Sequence, residues 1–431
     1  MTSLELYLLT FNCARNLVNP HVLAPHLFNA LPRGKPLPDV IALSLQEVAP
    51  IAYAFLGGSL LTPYLDRIAH TLDAAVEYRE AEVEVLYQVV VARNVGLTAL
   101  MVFAKPDVAK RIRWTHTAGV GVGLWEMGNK GAVGIRLGLL SYEDSQEEME
   151  LTFVSAHLAP FEECVVRRNQ DWENIVRHLV FSDDGRPAMI MGQDHEQDVA
   201  EPLLSNPAKE TPSPGGLFKS GNYIFFAGDL NYRTSNKSPG PSDYLSFPQP
   251  DAADSPQHFL TWLQRDQLSQ EIKAKRTFHG LEELPIFFPP TYKYSHISAG
   301  KPAEQVIGLD GTEPEQWAWS SRRYPSWCDR ILFIPSDGLQ AHIYTSLPVL
   351  PTSDHRPVAL SVTLPAKAAH HTLEAPFPIN PDWRSRRASA RRRELIVGIL
   401  AYLSLTREGN SILVGLVTGA LAGWFLIRSL I

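Results

Sequence analysis

The sequence predicts an α/β protein, a two-sheet α/β sandwich flanked by helices and followed by a C-terminal transmembrane helix. Three observations predict it. Short apolar runs bounded by turn residues recur from Leu4 to Val362, as buried strands do. Some of the segments between them carry helical spacing and start signals. Several apolar runs also stop abruptly in polar side chains able to do chemistry. Those polar ends are spread along the whole stretch, so residues 1–364 are expected to form one domain, although the length could hold two or three.

In chain order, strands are expected at Glu5 to Phe11, Val40 to Leu45, Gly96 to Phe103, Gly131 to Leu137, Leu151 to Ala156, Tyr223 to Ala227, Arg330 to Phe333 and Val358 to Val362. No cationic region precedes Leu4 to Leu9, so the first run reads as a strand and not as a signal peptide. Helices are expected at Pro63 to Ala75, Glu162 to Val180 and Ser255 to Ile272. The stretches 193–221 and 234–255 are rich in Pro, Gly, Ser and Asp and read as surface loops without catalytic interest.

The polar strand ends carry the chemistry. In Phe225-Phe226-Ala227-Gly228-Asp229-Leu230-Asn231 a carboxylate and a carboxamide stand two residues apart, and strand alternation points both to one side. A carboxylate there can orient water and an amide can hold an oxyanion. The plain alternative is an Asx-turn. Other runs end in Asn12, Glu47 and His157, and Asp329 and the pair Asp354-His355 lie beside later strands. Taken singly, Asn12 could cap a turn, His157 could be a satisfied core histidine and Asp329 could pair with Arg330. Together they form a set of oxygen and imidazole groups. Hard oxygen ligands suit Mg²⁺, which keeps several waters and takes one or two carboxylates from a protein.

Charge narrows the function classes. The net charge is −7. From Trp383 to Ile431 eight Arg face two Glu, a net +6, so the rest of the chain carries −13. An acidic body lacks the basic track a duplex backbone requires, which argues against nucleic acid as a partner. Three Cys without paired spacing fit a reducing compartment. None is followed six residues later by Arg, so a cysteine-based phosphatase is excluded.

The strings Met127-Gly128-Asn129-Lys130-Gly131, Arg168-Asn169-Gln170-Asp171-Trp172, Gly228-Asp229-Leu230-Asn231-Tyr232-Arg233, Pro290-Thr291-Tyr292-Lys293-Tyr294, Pro325-Ser326-Trp327-Cys328-Asp329-Arg330 and Ser353-Asp354-His355-Arg356-Pro357 resemble those of inositol polyphosphate 5-phosphatases, of the endonuclease/exonuclease/phosphatase superfamily. They stand in that family's order over roughly residues 4–363. The resemblance implies that Glu47, helped by Asn12, holds Mg²⁺, that Asp229 with Asn231 aligns the attacking water, and that His355 stabilises the phosphoryl oxygens. It further implies that Asp329 fixes the His355 tautomer, Asp354 supports the site and His157 contacts the scissile phosphate. Lys130, Asn129, Tyr292, Lys293 and Arg323 become substrate-binding candidates. Ser321 stands where the family has a Lys, a departure that bears on how firmly the 4-phosphate is held. No covalent intermediate is expected, because phosphoryl transfer needs in-line positioning and charge neutralisation more than a protein nucleophile. The apolar loop before Gly128, with Leu124 and Trp125, is a candidate for membrane docking, against ordinary core packing of Trp125.

The tail is the second signal. Residues 365–394 read as a linker, Pro-rich and then Arg-rich, and 395–431 as a hydrophobic anchor with its main span at about 411–427. Ile412 to Ile427 is sixteen residues without a charge, about 24 Å of helix, short for a bilayer core of about 30 Å and suited to a thin membrane. The upstream Arg cluster would keep the enzyme cytosolic, and a span so near the C-terminus would insert after translation. The alternative is a buried core helix. Leu395 to Leu405 is too short to cross alone and reads as an interfacial helix, an extension of the anchor or half of a hairpin.

The expected function is Mg²⁺-dependent removal of the 5-phosphate of phosphatidylinositol 4,5-bisphosphate by direct water attack. The expected location is the cytosolic face of the endoplasmic reticulum membrane, with the mitochondrial outer membrane as alternative. In architecture the chain resembles the small fungal tail-anchored members of the family. Partners are the lipid substrate and the membrane. The alternatives are a sphingomyelinase-like phosphodiesterase, against which the Pro-Thr-Tyr-Lys and Trp-Cys-Asp-Arg strings argue, and a catalytically dead phosphoinositide-binding tether, against which intact Asp229, Asn231 and His355 argue.

Overall fold

In the strand Ser3–Asn12 (β1), Leu4, Leu6 and Leu8 point one way and Tyr7, Leu9 and Phe11 the other, and all six are buried. Val40–Gln46 (β2) repeats the pattern, with Val40 and Ala42 on one face and Ile41, Leu43 and Leu45 on the other. A strand buried on both faces reads as a continuous apolar run, and this is why these elements were legible. The computed structural model describes residues 3–80, 86–141, 147–183, 215–250, 255, 257–295 and 317–430. Among them the remaining strands are Gln88–Val95 (β3), Thr98–Ala104 (β4), Ile112–Gly121 (β5), Gly131–Leu140 (β6), Glu148–His157 (β7), Asn222–Asp229 (β8), Asp329–Phe333 (β9), Gln340–Ser346 (β10) and Val358–Pro365 (β11).

Two sheets result, in the orders β10-β11-β1-β2-β4-β3 and β5-β6-β7-β8-β9. Each contains one parallel pair, β1 with β2 and β7 with β8, among antiparallel neighbours. The sheets face each other across a core that includes Leu6, Leu8, Val102, Ile135, Phe153, Phe225 and Leu360. Their outer faces are covered by helices: Leu65, Ile68 and Leu72 of Thr62–Arg79 on the first sheet, Trp172, Ile175 and Val176 of Val165–His178 on the second. Each such side chain contributes about 1.5–3 kcal/mol on burial. This is the expected two-sheet sandwich.

The inward face changes chemistry along each strand of the parallel pairs. After Leu4, Leu6 and Leu8 come Thr10 and Asn12; after Val40 and Ala42 come Ser44 and Gln46; after Leu151 and Phe153 come Ser155 and His157; after Phe225 and Ala227 comes Asp229. Period-two alternation therefore stacks a polar layer on the apolar core at one end of the sandwich. The layer is internally satisfied: Ser44 Oγ donates to Ser155 Oγ (2.8 Å), Gln46 Nε2 donates to Ser44 Oγ (2.9 Å), and Thr10 Oγ1 donates to Gln46 Oε1 (3.2 Å). Buried polar groups left unpaired would cost about 1–3 kcal/mol each.

Several expectations are corrected. The helix expected over Ser255 to Ile272 is two, Phe259–Leu263 and Gln267–Lys273. Asp266 separates them because its carboxylate caps the second, accepting from Ser269 N at 2.9 Å, and binds Arg330 at 3.0 Å. Glu162 to Cys164 is a tight 3-10 turn before Val165–His178, and Thr62–Arg79 runs past the expected Ala75. Strands β3, β5 and β10 were not expected: all three lie at sheet edges, half-exposed, with mixed polar and apolar residues. Of the expected loop 193–221, residues 193–214 lie outside the described residues.

After β11 the chain does not hang free. Ala366 and Ala369 are buried, Phe377 packs on the His279 ring (5.5 Å between centroids), and Leu373 N donates to Ser220 Oγ (2.9 Å). The boundary expected at 394/395 falls within one helix, Trp383–Leu405, which packs against the helix Ile51–Leu56. The Tyr53 and Tyr402 rings stand 6.4 Å apart, and a Cβ on Gly398 would come within 3.1 Å of Phe55 Cβ. Thr406 is extended, and beyond it Arg407–Leu430 is a helix long and apolar enough to cross a membrane. None of its most apolar stretch is buried against the domain, which removes the core-helix alternative.

Candidate active site

Asp229 is the hub. It ends β8 opposite His157 of β7 and Asp329 of β9. Its Oδ2 accepts from Asn12 Nδ2 (2.9 Å), across the two sheets, and lies 3.1 Å from His157 Nε2 and 4.0 Å from His355 Nε2. Its Oδ1 accepts from Asn231 N (3.1 Å), so the Asx-turn is present and serves the site. The strand can end here because Gly228 lies hard against its neighbour: a Cβ would fall 2.0 Å from Ala156 O. Burial pushes the Asp229 carboxyl up, but the neighbouring imidazoles of His157 and His355 and the Lys130 ammonium overcome that and hold it far below the usual carboxylate range. A carboxylate so acidic orients a water through a hydrogen bond better than it stores the water's proton.

His355 is held by Asp329, with Nδ1 2.8 Å from Asp329 Oδ2. Thr291 Oγ1 donates to the same oxygen at 2.7 Å and accepts from Cys328 N and Asp329 N. Arg330 does not compete for Asp329, because it pairs with Asp266 and Glu283. Burial alone would push His355 down, but Asp329 and Asp229 together raise it to about 9. Burial pushes Asp329 up to about 6 despite the pull of His355. Between these values the two form an ion pair. His355 Nε2 stands 4.0 Å from Asp354 Oδ1 and from Asp229 Oδ2, beyond hydrogen bonding, and so presents its N–H to the cavity. By contrast, burial and then the Lys130 charge push His157 down.

Asn231, in the left-handed region with φ +58°, is fixed by its Nδ2 donating to Leu158 O (3.1 Å) and by Arg233, which binds both its carbonyl and its side-chain oxygen. Glu47, also left-handed at φ +45°, turns out of β2 into the same cavity, with Arg15 Nε at 2.9 Å and Lys130 Nζ at 3.9 Å. Lys130 also touches the His157 ring. Lys293 pairs with Asp354, and the Tyr292 ring packs on His355 at 4.6 Å.

A cavity of about 300 Å³ joins these groups; Asn12, Glu47, Lys130, His157, Asp229, Asn231, Tyr292, Lys293, Asp354 and His355 all line it, and Asp329 stands directly behind. Two expected substrate-binding residues lie elsewhere, and the two docking candidates stand outside this cavity. Arg323 reaches buried Glu162 (3.5 Å) and lies over the Phe161 ring (4.9 Å). Asn129 faces a neighbouring cavity, and Leu124 and Trp125 are on the surface. The cavity also takes in Arg15 and Arg233, which sequence reasoning missed. Arg233 sits in a quoted string, two residues past Asn231; Arg15 had no signal, because it follows a strand end in a turn.

Asp229, Asp329 and His355 bring three ligand-type atoms within 4.8 Å of one another, but the hydrogen bond and raised proton affinity of His355 suit it to donation, not ligation. The Glu47 carboxylate and Asn12 amide oxygen offer hard donors on the cavity wall, and Asn12 Oδ1 is engaged only by Ala14 N (3.0 Å) among the described residues, leaving a lone pair. These two fit a hard divalent ion that keeps its remaining waters.

The description "Endonuclease/Exonuclease/phosphatase family 2" matches residues 9–361. Type II inositol polyphosphate 5-phosphatase 15 of Arabidopsis thaliana is 28% identical over 310 residues, 68% of this chain and 25% of that protein. Type II inositol 1,4,5-trisphosphate 5-phosphatase of Mus musculus is 28% identical over 326 residues, 75% of this chain and 26% of that protein. The chain thus spans about a quarter of the length of these curated relatives. In fold it is similar to the inositol polyphosphate 5-phosphatase domain of SpSynaptojanin, solved with inositol (1,4)-bisphosphate and calcium ion, at a TM-score of 0.57 and 22% identity, over 91% of this chain and 90% of that one.

Proposed function

We propose that this chain, which belongs to the endonuclease/exonuclease/phosphatase family and within it to the inositol polyphosphate 5-phosphatases, removes the 5-phosphate of phosphatidylinositol 4,5-bisphosphate by direct attack of water. The observation that carries the reading is the convergence of Asn12, His157, Asp229 and the Asp329–His355 pair at one end of two facing parallel strand pairs. Asp229 and Asn231 orient the water. Protonated His355 donates from Nε2 to the phosphoryl oxygens, while Asp329 holds its Nδ1–H and so its ring plane. Lys130, Lys293 and Arg15 bring positive charge to the cavity rim, which suits a ring bearing more than one phosphate. Glu47 and Asn12 would hold Mg²⁺, which when bound neutralises charge on the phosphoryl group.

In this reading Arg407–Leu430 anchors the enzyme in the endoplasmic reticulum membrane with the phosphatase domain in the cytosol. The uncharged stretch of sixteen residues and the six Arg of the preceding helix support it. Phosphate release from vesicles over a panel of phosphoinositides, and from soluble inositol phosphates and sphingomyelin, tests the reaction. Phosphatidylinositol 4-phosphate is the expected product, and phosphocholine release or no turnover at all would overturn it. Imaging of the tagged full chain against reticulum and mitochondrial markers tests the location.

A further inference from the structure

We propose that Glu394, on the helix that leads to the membrane segment, is a positioning residue for Lys130, so that this helix is a working part of the phosphatase site. The proposal rests on the 5-phosphatase reading above. The helix Trp383–Leu405 carries six Arg and one acidic residue, Glu394. That residue is 0% exposed. A buried carboxylate is costly unless it is paired and hydrogen-bonded, and an apolar residue would suffice to pack a helix.

The partners of Glu394 indicate what it does. Its Oε1 accepts from the backbone N of Gly128 at 2.9 Å and from Arg387 Nη1 at 2.9 Å, and its Oε2 lies 3.3 Å from Arg391 Nη1. Arg391 in turn donates to Phe55 O at 2.6 Å. Gly128 is gripped from the other side as well: its carbonyl accepts from Leu97 N at 2.9 Å, and a Cβ on it would fall 2.7 Å from Gly96 N. Two residues later Lys130 enters the catalytic cavity, between Glu47 and His157.

The same helix holds the rest of this loop. Arg393 Nη1 donates to Trp125 O at 2.8 Å, and Arg386 pairs with Glu126. Trp125 and Glu126 are both in the left-handed region, at φ +53° and +63°, a conformation that non-glycine residues keep only where their surroundings fix it. The helix supplies those surroundings. Remove its grip and the loop relaxes, carrying Lys130 away from the phosphate position.

Two substitutions of the full-length chain in lipid nanodiscs separate positioning from mere packing, with soluble inositol 1,4,5-trisphosphate as the probe so that membrane contact does not enter. Glu394→Ala and Glu394→Gln both remove the charge that pairs with Arg387 and Arg391, and both should lower thermal stability. Only the amide oxygen of Gln still accepts from Gly128 N. The expected result is a loss of tenfold or more in kcat/KM for Glu394→Ala, recovery to within about threefold of wild type for Glu394→Gln, and no change for Arg392→Ala on the exposed face. Hydrogen exchange of residues 121–131 should speed up in Glu394→Ala and stay slow in Glu394→Gln. Equal losses in the Ala and Gln variants, or wild-type turnover and exchange in Glu394→Ala, would overturn the proposal. A wild-type chain inactive on every inositol phosphate sinks the functional reading instead, and the exchange measurement then decides the loop's dependence on Glu394 by itself.

Discussion

Asn12 and Asp229 are 217 positions apart and hydrogen-bond at 2.9 Å between the two sheets. The bond joins a carboxamide at the end of one parallel pair to the hub carboxylate at the end of the other. Neither sheet alone contains the candidate site, which is built only when the two pack.

Replacement of Asp229 follows directly. It is buried, so Asp229→Ala should leave Asn12 and His157 without their partner, at a cost of about 1–3 kcal/mol of stability for each. Asp229→Asn keeps the shape and isolates the chemistry. Hydrolysis should fall by about 10²–10⁴-fold with the fold intact by circular dichroism; activity within tenfold of wild type would sink the assignment.

The metal role of Glu47 is tested by Glu47→Gln. Activity should fall at least tenfold and recover in part as Mg²⁺ is raised, because the amide keeps an oxygen donor but loses the charge. Chelator should silence the wild type. Phosphate release indifferent to chelator and Mg²⁺ in both proteins would rule the role out.

The Asp329–His355 pair predicts a pH profile. His355 is raised from its ordinary 6.5 to about 9, so it binds a proton more tightly in the folded state. Its contribution to stability is complete below about pH 6.5 and is lost as pH rises through about 9. Activity that uses its N–H should fall along the same limb. In Asp329→Asn the limb should move toward neutral pH by a unit or more, since burial then acts with less opposition. An unmoved limb would show that another group sets it.

Trp125 is 64% exposed and Leu124 60%, so the core-packing alternative for this loop is gone. Trp125→Ala should lower turnover of vesicle-bound phosphatidylinositol 4,5-bisphosphate several-fold while leaving soluble inositol trisphosphate turnover within twofold. Equal effects on both substrates would remove the docking role.

Much of this was legible because the candidate catalytic groups sit where apolar runs stop. Leu8 to Asn12 and Phe225 to Asp229 announce both strand and site in one string. The half-exposed edge strands β3, β5 and β10 lack that contrast, and their mixed composition hid them. The break at Asp266 was hidden because its cause, Arg330, is 64 positions away. Arg323 shows the converse: its sequence neighbours group it with the substrate candidates, whereas in the structure it reaches the buried carboxylate of Glu162, remote in sequence. Nothing in the run Arg391-Arg392-Arg393-Glu394 tells that its one acid is the buried residue.

The joint at Thr406 has a consequence for reach. A flexible linker of about 20 residues would let a domain wander some 25 Å from its anchor, at roughly 5–6 Å × √n. Here residues 366–405 are largely laid down on the domain, and a single extended residue separates the docked helix from the apolar one. With Arg407–Leu430 set in a bilayer as proposed, the cavity would keep a nearly constant height above it. The enzyme would then graze the lipids of the leaflet that carries it, in cis, and would be poorly placed to work in trans on an apposed membrane.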